Sequence, residues 1–257
     1  MSRLYLYIVT VSHDPNKISS PVPWQVDSKE IFFGPCKKPI REKLREQYLG
    51  PETECAEFSE PTYIVGVNGS NKERFRKVIW AGRLKKVMTF AHAYTELKDS
   101  KYQKMRNCES SPLHLKPMLE QGQLVGYEHI SKMHERNDDW ILDLVKQRRL
   151  KNVRRDGKRL LVKPGVTPWN AFPRDACILL ENIFFVNKEA NIKGLAFDDE
   201  GLQNLKQAQP DRKIDNYAIF GYRKDGTANG RTGSYLEIST PQADVLIDWI
   251  KQKKSQK

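Results

Sequence analysis

The sequence of 257 residues contains only four cysteines, and no two of them form a Cys-x-x-Cys pair. This spacing argues against a disulfide-stapled scaffold and against a zinc knuckle. Free thiols of this kind are typical of a reducing compartment, so we expect the protein to be cytoplasmic. The five histidines are scattered as well, and we expect neither a metal site nor a cofactor. The cysteines are Cys36, Cys55, Cys108 and Cys177.

Long apolar segments are also missing. No stretch approaches the roughly 20 apolar residues that a membrane-spanning helix needs, so we expect no membrane association. Residues 1 to 9 are not followed by a small-residue cleavage site. They predict a first strand and not a signal peptide. No internal repeat is visible, which excludes a solenoid.

Aromatic residues and positive charge are well represented. Ten Phe, ten Tyr and five Trp argue against wholesale disorder, because disordered chains are poor in aromatic residues. The length suits one large domain or two small ones with a substantial core. The formal net charge of +12 indicates a polyanionic partner.

Most of this charge lies in one segment, Lys146 to Lys163. Nine of its eighteen residues are Lys or Arg and only Asp156 is acidic, so the segment carries +8 of the net +12. Such a local excess is the usual footprint of a nucleic-acid contact. The alternative is a solvated basic surface without a partner. We call this segment the basic run.

The basic run is predicted to span a helix end and a β-hairpin. Asn137 can cap a helix over residues 138–149. The dipeptide Asp156-Gly157 then lies between two short apolar segments, 150–153 and 160–162, which is a hairpin signal. Within the run we assign phosphate contacts to Arg149, Arg154, Arg155, Lys158 and Arg159.

The remaining predicted elements indicate an α+β protein. Thr89 is a predicted N-cap for a helix through Leu97, and a last helix begins at 239–241 with Val245, Leu246, Trp249 and Ile250 facing inward. Because strands and helices alternate irregularly, a doubly wound sheet is disfavoured. We expect one domain over 1–257, with core strands in 1–100 and 170–240 and an inserted segment over about 100–168. The predicted strands are Leu4–Ser12, Thr62–Val67, Lys77–Met88, Cys177–Val186, Tyr217–Tyr222 and Ser234–Ile238.

A turn near residue 35 predicts an anion site. Gly34-Pro35 follows an apolar strand, and Lys37, Lys38 and Arg41 come next. Backbone N–H groups of such turns, together with cations, bind phosphate or carboxylate. An ordinary turn with exposed lysines is the alternative.

Several of these segments resemble the nucleotide-modification-associated domains, which are linked to DNA base modification in bacteria and phages. The resemblance covers roughly residues 4 to 140. It rests on Tyr5–Val9, Asp14-Pro15-Asn16, Cys36-Lys37-Lys38-Pro39-Ile40-Arg41, Tyr63-Ile64-Val65-Gly66, Val78-Ile79-Trp80-Ala81-Gly82-Arg83, and Met88-Thr89-Phe90 to Tyr94.

The strand order is also similar to that of the PUA-like barrels, which include the ASCH, EVE and YTH domains. This resemblance implies a mixed β-barrel with packed helices, in which the basic hairpin predicted above would be an insertion. It also implies a cleft in which a modified base is stacked on aromatic rings. The stacking candidates are Trp80, Tyr94, Trp140 and Trp169, each of which could instead be a core residue. Arg83, within the similar strand, is a further nucleic-acid-binding candidate.

Three functional hypotheses follow. The first is a reader that binds nucleic acid, with DNA favoured over RNA, and recognises a modified base in a DNA-modification or defence system. The second is an enzyme that acts on a nucleotide or modified base through His129, His134 and Asp138. The third is a basic protein–protein contact module. The sequence leaves the oligomeric state open.

Overall fold

The computed structural model describes residues 3–9, 23–34, 38–68, 77–106, 112–113, 115–130, 150–151, 159–186, 195–196 and 235–255. Contacts divide the chain into two compact units. The first unit comprises Met1–Ile31, Phe58–Lys85 and Leu180–Lys257, and the second comprises Phe32–Glu57 and Lys86–Leu179. That all of 1–257 forms one domain stays a prediction.

The mixture of helices and strands confirms the α+β class. None of the helices in the described ranges is both long and apolar enough to cross a membrane. The helices are α1 (Lys38–Tyr48), α2 (Phe90–Glu96), α3 (Gln103–Arg106), α4 (Pro168–Ala171) and α5 (Gln242–Ser255). The strands are β1 (Arg3–Val9), β2 (Trp24–Gln25), β3 (Ile31–Phe33), β4 (Cys55–Glu57), β5 (Thr62–Asn68), β6 (Lys77–Met88), β7 (Leu115–Glu120), β8 (Gln123–His129), β9 (Leu150–Lys151), β10 (Arg159–Val162), β11 (Cys177–Val186), β12 (Leu195–Ala196) and β13 (Tyr235–Ser239).

The first unit is built around β1, which pairs in parallel with β5 and antiparallel with β13. The strand order is β13-β1-β5-β6-β11-β3-β2, and β12 pairs with β6. The expectation of a closed barrel is wrong for the strands that the structure describes, because β13 and β2 lie at opposite ends of this order and do not pair.

Helix α5 covers one face of the β1–β5 pair. Leu4, Leu6 and Ile8 alternate along β1 and pack against Leu246 and Ile250 in one apolar cluster. Burial of each such aliphatic side chain stabilises the fold by about 1.5–3 kcal/mol. The predicted inward stripe of this helix is confirmed for Leu246, Trp249 and Ile250 but wrong for Val245, which is 45% exposed. Val245 lies on the outer face of the helix.

Strand β6 has the predicted bounds and is buried on both faces. Both Ile79 and Trp80, which point to opposite faces, are fully buried. The pairing with β5 shifts between Gly66 and Val67, which oppose Trp80 and Val78. Ile79 is therefore the extra residue of a β-bulge in this strand.

The second unit places α1, α2 and a four-stranded sheet around its own core. Thr89 caps α2 as predicted, since its side chain accepts a hydrogen bond from the backbone N–H of His92 at 3.1 Å. Helix α1 was not predicted. It buries Ile40 and Leu44, and Pro39 is its second residue, where the missing N–H costs nothing.

Candidate nucleic-acid interface

The sheet of the second unit follows the order β7-β8-β10-β9. Strands β7 and β8 form a hairpin whose two-residue turn, Gln121-Gly122, has positive φ angles of 51° and 79°. Two consecutive positive φ values match the type I′ turn that suits the twist of paired strands. Strand β8 of this hairpin pairs with the neighbouring β10.

The strand pairing predicted for a hairpin around Asp156-Gly157 is confirmed for two residue pairs. Leu150 pairs with Val162, and Lys151 pairs with Leu161, in antiparallel register. The connecting residues 152–158 lie outside the described ranges. The basic run therefore spans a hairpin whose first strand, β9, is at the end of the described strand order.

Close backbone contact holds β10 against β8. Gly126 of β8 lies opposite Leu161, and a Cβ atom at this position would lie 2.0 Å from the carbonyl oxygen of Leu160. Only glycine fits such an approach.

The two faces of this sheet differ in polarity. Tyr127 and Leu160 pair with each other and are fully buried. The adjacent row contains Lys116, Glu128 and Arg159, whose Cα atoms are partners across three strands. Arg159 and Lys116 are exposed, as the period of two along a strand requires. Arg159 is thus on the solvent side, as a phosphate ligand has to be, whereas Arg149, Arg154, Arg155 and Lys158 lie outside the described residues.

Arg41 is not presented to solvent. It is 4% exposed, and its Nη1 donates to the carbonyl oxygens of Arg174 at 3.0 Å and Ala176 at 2.5 Å. Its neighbour one turn on, Arg45, donates to the Trp169 carbonyl at 2.6 Å. The helical period turns both arginines inward, so the expected anion site loses its bidentate ligand. Lys38 begins α1, and Lys37 lies outside the described residues.

Arg83, in the first unit, is engaged in a similar way. Its Nη2 donates to the carbonyl oxygens of Phe58 at 3.4 Å and Ser59 at 2.5 Å, and its Nη1 lies 3.6 Å from Glu181. Lys85 on the same strand lies 3.0 Å from Glu30. Carboxylates and carbonyls therefore offset the positive charge of this strand.

Each described aromatic candidate already has a partner at its ring. Trp80 is fully buried, and a Cβ atom on Gly66 would lie 2.2 Å from its ring. The ring of Trp169 is covered by the Arg45 guanidinium at 3.4 Å, and that of Tyr94 by the Arg106 guanidinium at 4.2 Å. Trp140 lies outside the described residues. Trp80 is a core residue, which was the alternative to base stacking in the sequence analysis.

Among the catalytic candidates only His129 is described, and it is buried on β8 opposite Leu115. His134 and Asp138 lie outside the described ranges. The sequence did not indicate another buried polar pair nearby, in which Tyr127 donates to Asp175. Burial raises the pKa of Asp175, and burial followed by the Asp175 charge raises that of Tyr127. Asp175 also accepts from the Phe90 N–H at 2.7 Å, so it fixes the start of α2.

A second cluster that the sequence did not indicate lies between β4 and α2. Cys55, His92 and Glu96 place their donor atoms within 4.8 Å of one another. Burial would raise the pKa of Glu96, but hydrogen bonds from Lys86 and His92 outweigh it and lower that pKa. Burial, and then the Glu96 charge, raises the pKa of the Cys55 thiol. The spacing of His92 and Glu96, four residues apart on a helix, was the available signal.

No protein-family model, curated protein or solved structure matches this chain. The candidate interface accordingly rests on the charge of the basic run and the geometry of the sheet that carries it.

Proposed function

We propose that the protein binds nucleic acid through the hairpin β9–β10, with the basic run contacting backbone phosphates. The observation that carries the proposal is the charge of the run, +8 within eighteen residues, on strands whose ends are paired into a sheet. Phosphate neutralisation by Lys and Arg supplies most of the affinity in such complexes.

We take DNA rather than RNA as the partner, on the general ground that β-structure enters the grooves of DNA. A two-stranded β-ribbon enters the major groove of B-form DNA, whereas the deep, narrow major groove of A-form RNA does not admit protein elements. The exposed Arg159 lies at the start of β10, next to the connecting residues 152–158. Contacts of this kind position a protein without reading sequence.

Recognition of a modified base stays a prediction drawn from the resemblance to nucleotide-modification-associated domains and PUA-like proteins. The surroundings of Trp80, Tyr94, Trp169 and Arg41 do not support them as base or phosphate ligands. The enzymatic alternative through His129, His134 and Asp138 likewise stays a prediction.

A fourfold neutralised variant tests the proposal. In R154Q/R155Q/K158Q/R159Q, we expect the affinity for a duplex oligonucleotide to fall by two to three orders of magnitude near 0.1 M salt. The slope of log K against log salt should decrease by about 0.9 for each lost phosphate contact. Fluorescence anisotropy over a range of salt concentrations measures both quantities.

The matched control removes the same charge elsewhere. Lys98, Lys101, Lys104 and Lys251 are exposed, and K98Q/K101Q/K104Q/K251Q should keep the wild-type slope. Equal losses in both variants would mean that only net charge matters. That result, or no binding by the wild type at about 50 mM salt, contradicts the proposal.

A further inference from the structure

The side chains of Cys55, His92 and Glu96 converge at one corner of the second unit. All three donor atoms lie within 4.8 Å of one another, and His92 Nε2 lies 2.6 Å from Glu96 Oε2. We propose that these residues form a three-ligand site for a zinc-class divalent metal ion, independent of the nucleic-acid interface.

The backbone holds the three ligands in place. Cys55 of β4 lies opposite Met88 of β6, and the Thr89 N–H donates to the Glu54 carbonyl at 2.8 Å. Thr89 in turn caps α2, so the strand that carries Cys55 is bonded to the residue at which the helix begins. Ligands on paired strands and a capped helix are held more accurately than ligands on loops.

The outward face of α2 carries the other two ligands. Phe90, Ala91 and Ala93 are buried and anchor the helix. The side chains of His92 and Glu96 are 34% and 35% exposed, which leaves a path for an ion to enter. Four residues apart on a helix, they face the same direction.

The ligand types select the metal. Thiolate, imidazole and carboxylate together suit zinc, whereas magnesium and calcium prefer oxygen ligands alone. Zinc bond lengths of about 2.0–2.3 Å imply roughly 3.3–3.8 Å between ligand atoms in a tetrahedron. The present separations require adjustments on the order of 1 Å, which staggered rotamers of half-exposed side chains allow. Among the described residues the cluster has no fourth such ligand, so a water molecule would complete the tetrahedron.

Lys86 orients the carboxylate. Its ammonium donates to Glu96 Oε1 and lies 2.8 Å from Glu57 Oε1, which leaves Glu96 Oε2 toward His92. Hydrogen bonds of this kind to a ligating carboxylate are typical of metal sites. A bound ion would take the place of the contact between His92 Nε2 and Glu96 Oε2.

Cobalt(II) titration of the chelator-treated, full-length protein tests the site. We expect tetrahedral d–d absorption together with a thiolate-to-cobalt charge-transfer band, both removed when zinc is added. The C55S variant should lose the charge-transfer band. H92N and E96Q should weaken zinc binding on the order of 100-fold or more, because loss of outer partners alone costs about 10–100-fold.

The matched control is C108S, which removes a different thiol and should retain the wild-type spectrum. Circular dichroism verifies that each variant is folded, and the half-exposed His92 makes H92N a conservative second test if C55S does not fold. Absence of the charge-transfer band in folded wild type, its persistence in folded C55S, or an unchanged zinc affinity of folded H92N overturns the proposal. The cobalt and zinc measurements do not depend on whether the protein binds DNA. The metal-site proposal and the nucleic-acid proposal can therefore fail independently of each other.

Discussion

Arg41 and Arg45 of α1 lie against backbone carbonyls, whereas the basic residues of the run 146–163 follow one another with a single acid among them. Both groups belong to the second unit. The α1 arginines are buried, and each donates to carbonyl oxygens of the segment 169–176. Arg159, by contrast, is exposed at the start of β10.

This difference indicates two roles for positively charged side chains, one in stability and one in binding. A buried guanidinium that satisfies carbonyl groups stabilises the fold, because those groups would otherwise be buried without a partner. Cations concentrated within one short segment repel one another and are stabilised by a polyanion. Substitutions in the first group should therefore change stability, and those in the second should change binding.

The largest expected effect on stability is that of Arg41→Met. It removes the guanidinium donor of the Ala176 carbonyl and one of two donors of the Arg174 carbonyl, which keeps the Ala176 N–H at 2.8 Å. We expect the free energy of unfolding to fall by about 2–4 kcal/mol. Urea denaturation measures it, with R159M as the exposed control, expected within about 0.5 kcal/mol of wild type. If R41M were as stable as wild type, or if folded R41M showed a reduced salt slope of DNA binding, the distinction between stabilising and DNA-binding cations would be wrong.

An intermediate effect is expected for Gly126→Ala. The new methyl group would meet the Leu160 carbonyl oxygen at 2.0 Å, so β10 must shift away from β8 at a cost of about 1–3 kcal/mol. Denaturation of G126A should show this loss, and DNA affinity should fall because the sheet positions the hairpin. The control is G50A, whose Cβ would lie 4.0 Å from its nearest neighbour. Equal stability of both variants would indicate that β10 is not held as described.

The smallest effect is expected for Glu128→Gln. Glu128 is the Cα partner of Arg159 on the adjacent strand, and removing its charge should raise DNA affinity about two- to fivefold at low salt, in line with the 0.2–1 kcal/mol of surface charge pairs. The exposed Glu46 of α1 provides the control, E46Q. Anisotropy titrations that show the same gain for both variants would place the DNA elsewhere than on this sheet.

Local chemistry explains which elements the sequence predicts. The bounds of β6 and β11 and the cap of α2 follow from apolar runs and from Thr89. The β7–β8 hairpin was missed because glutamine is unusual at the first position of a type I′ turn. Helix α1 was missed because Pro35 and Pro39 suggested a continuing turn.

The candidate sites also differ in how far the sequence predicts them. The hairpin could be predicted because its charge and the Asp-Gly dipeptide lie within one short segment. Arg41 is predicted to bind phosphate but is buried against carbonyl oxygens, since the spacing of cations does not tell which side of a helix is buried. Cys55 and His92 are 37 residues apart, and only the pairing of β4 with β6 brings them together.

The salt dependence of DNA binding tests the central claim most directly. We predict that log K falls steeply with log salt for wild type and for R41M alike. The slope should become shallower by about 0.9 per lost contact in R154Q/R155Q/K158Q/R159Q. Identical slopes for wild type and the hairpin variant would contradict the assignment of nucleic-acid binding to β9–β10.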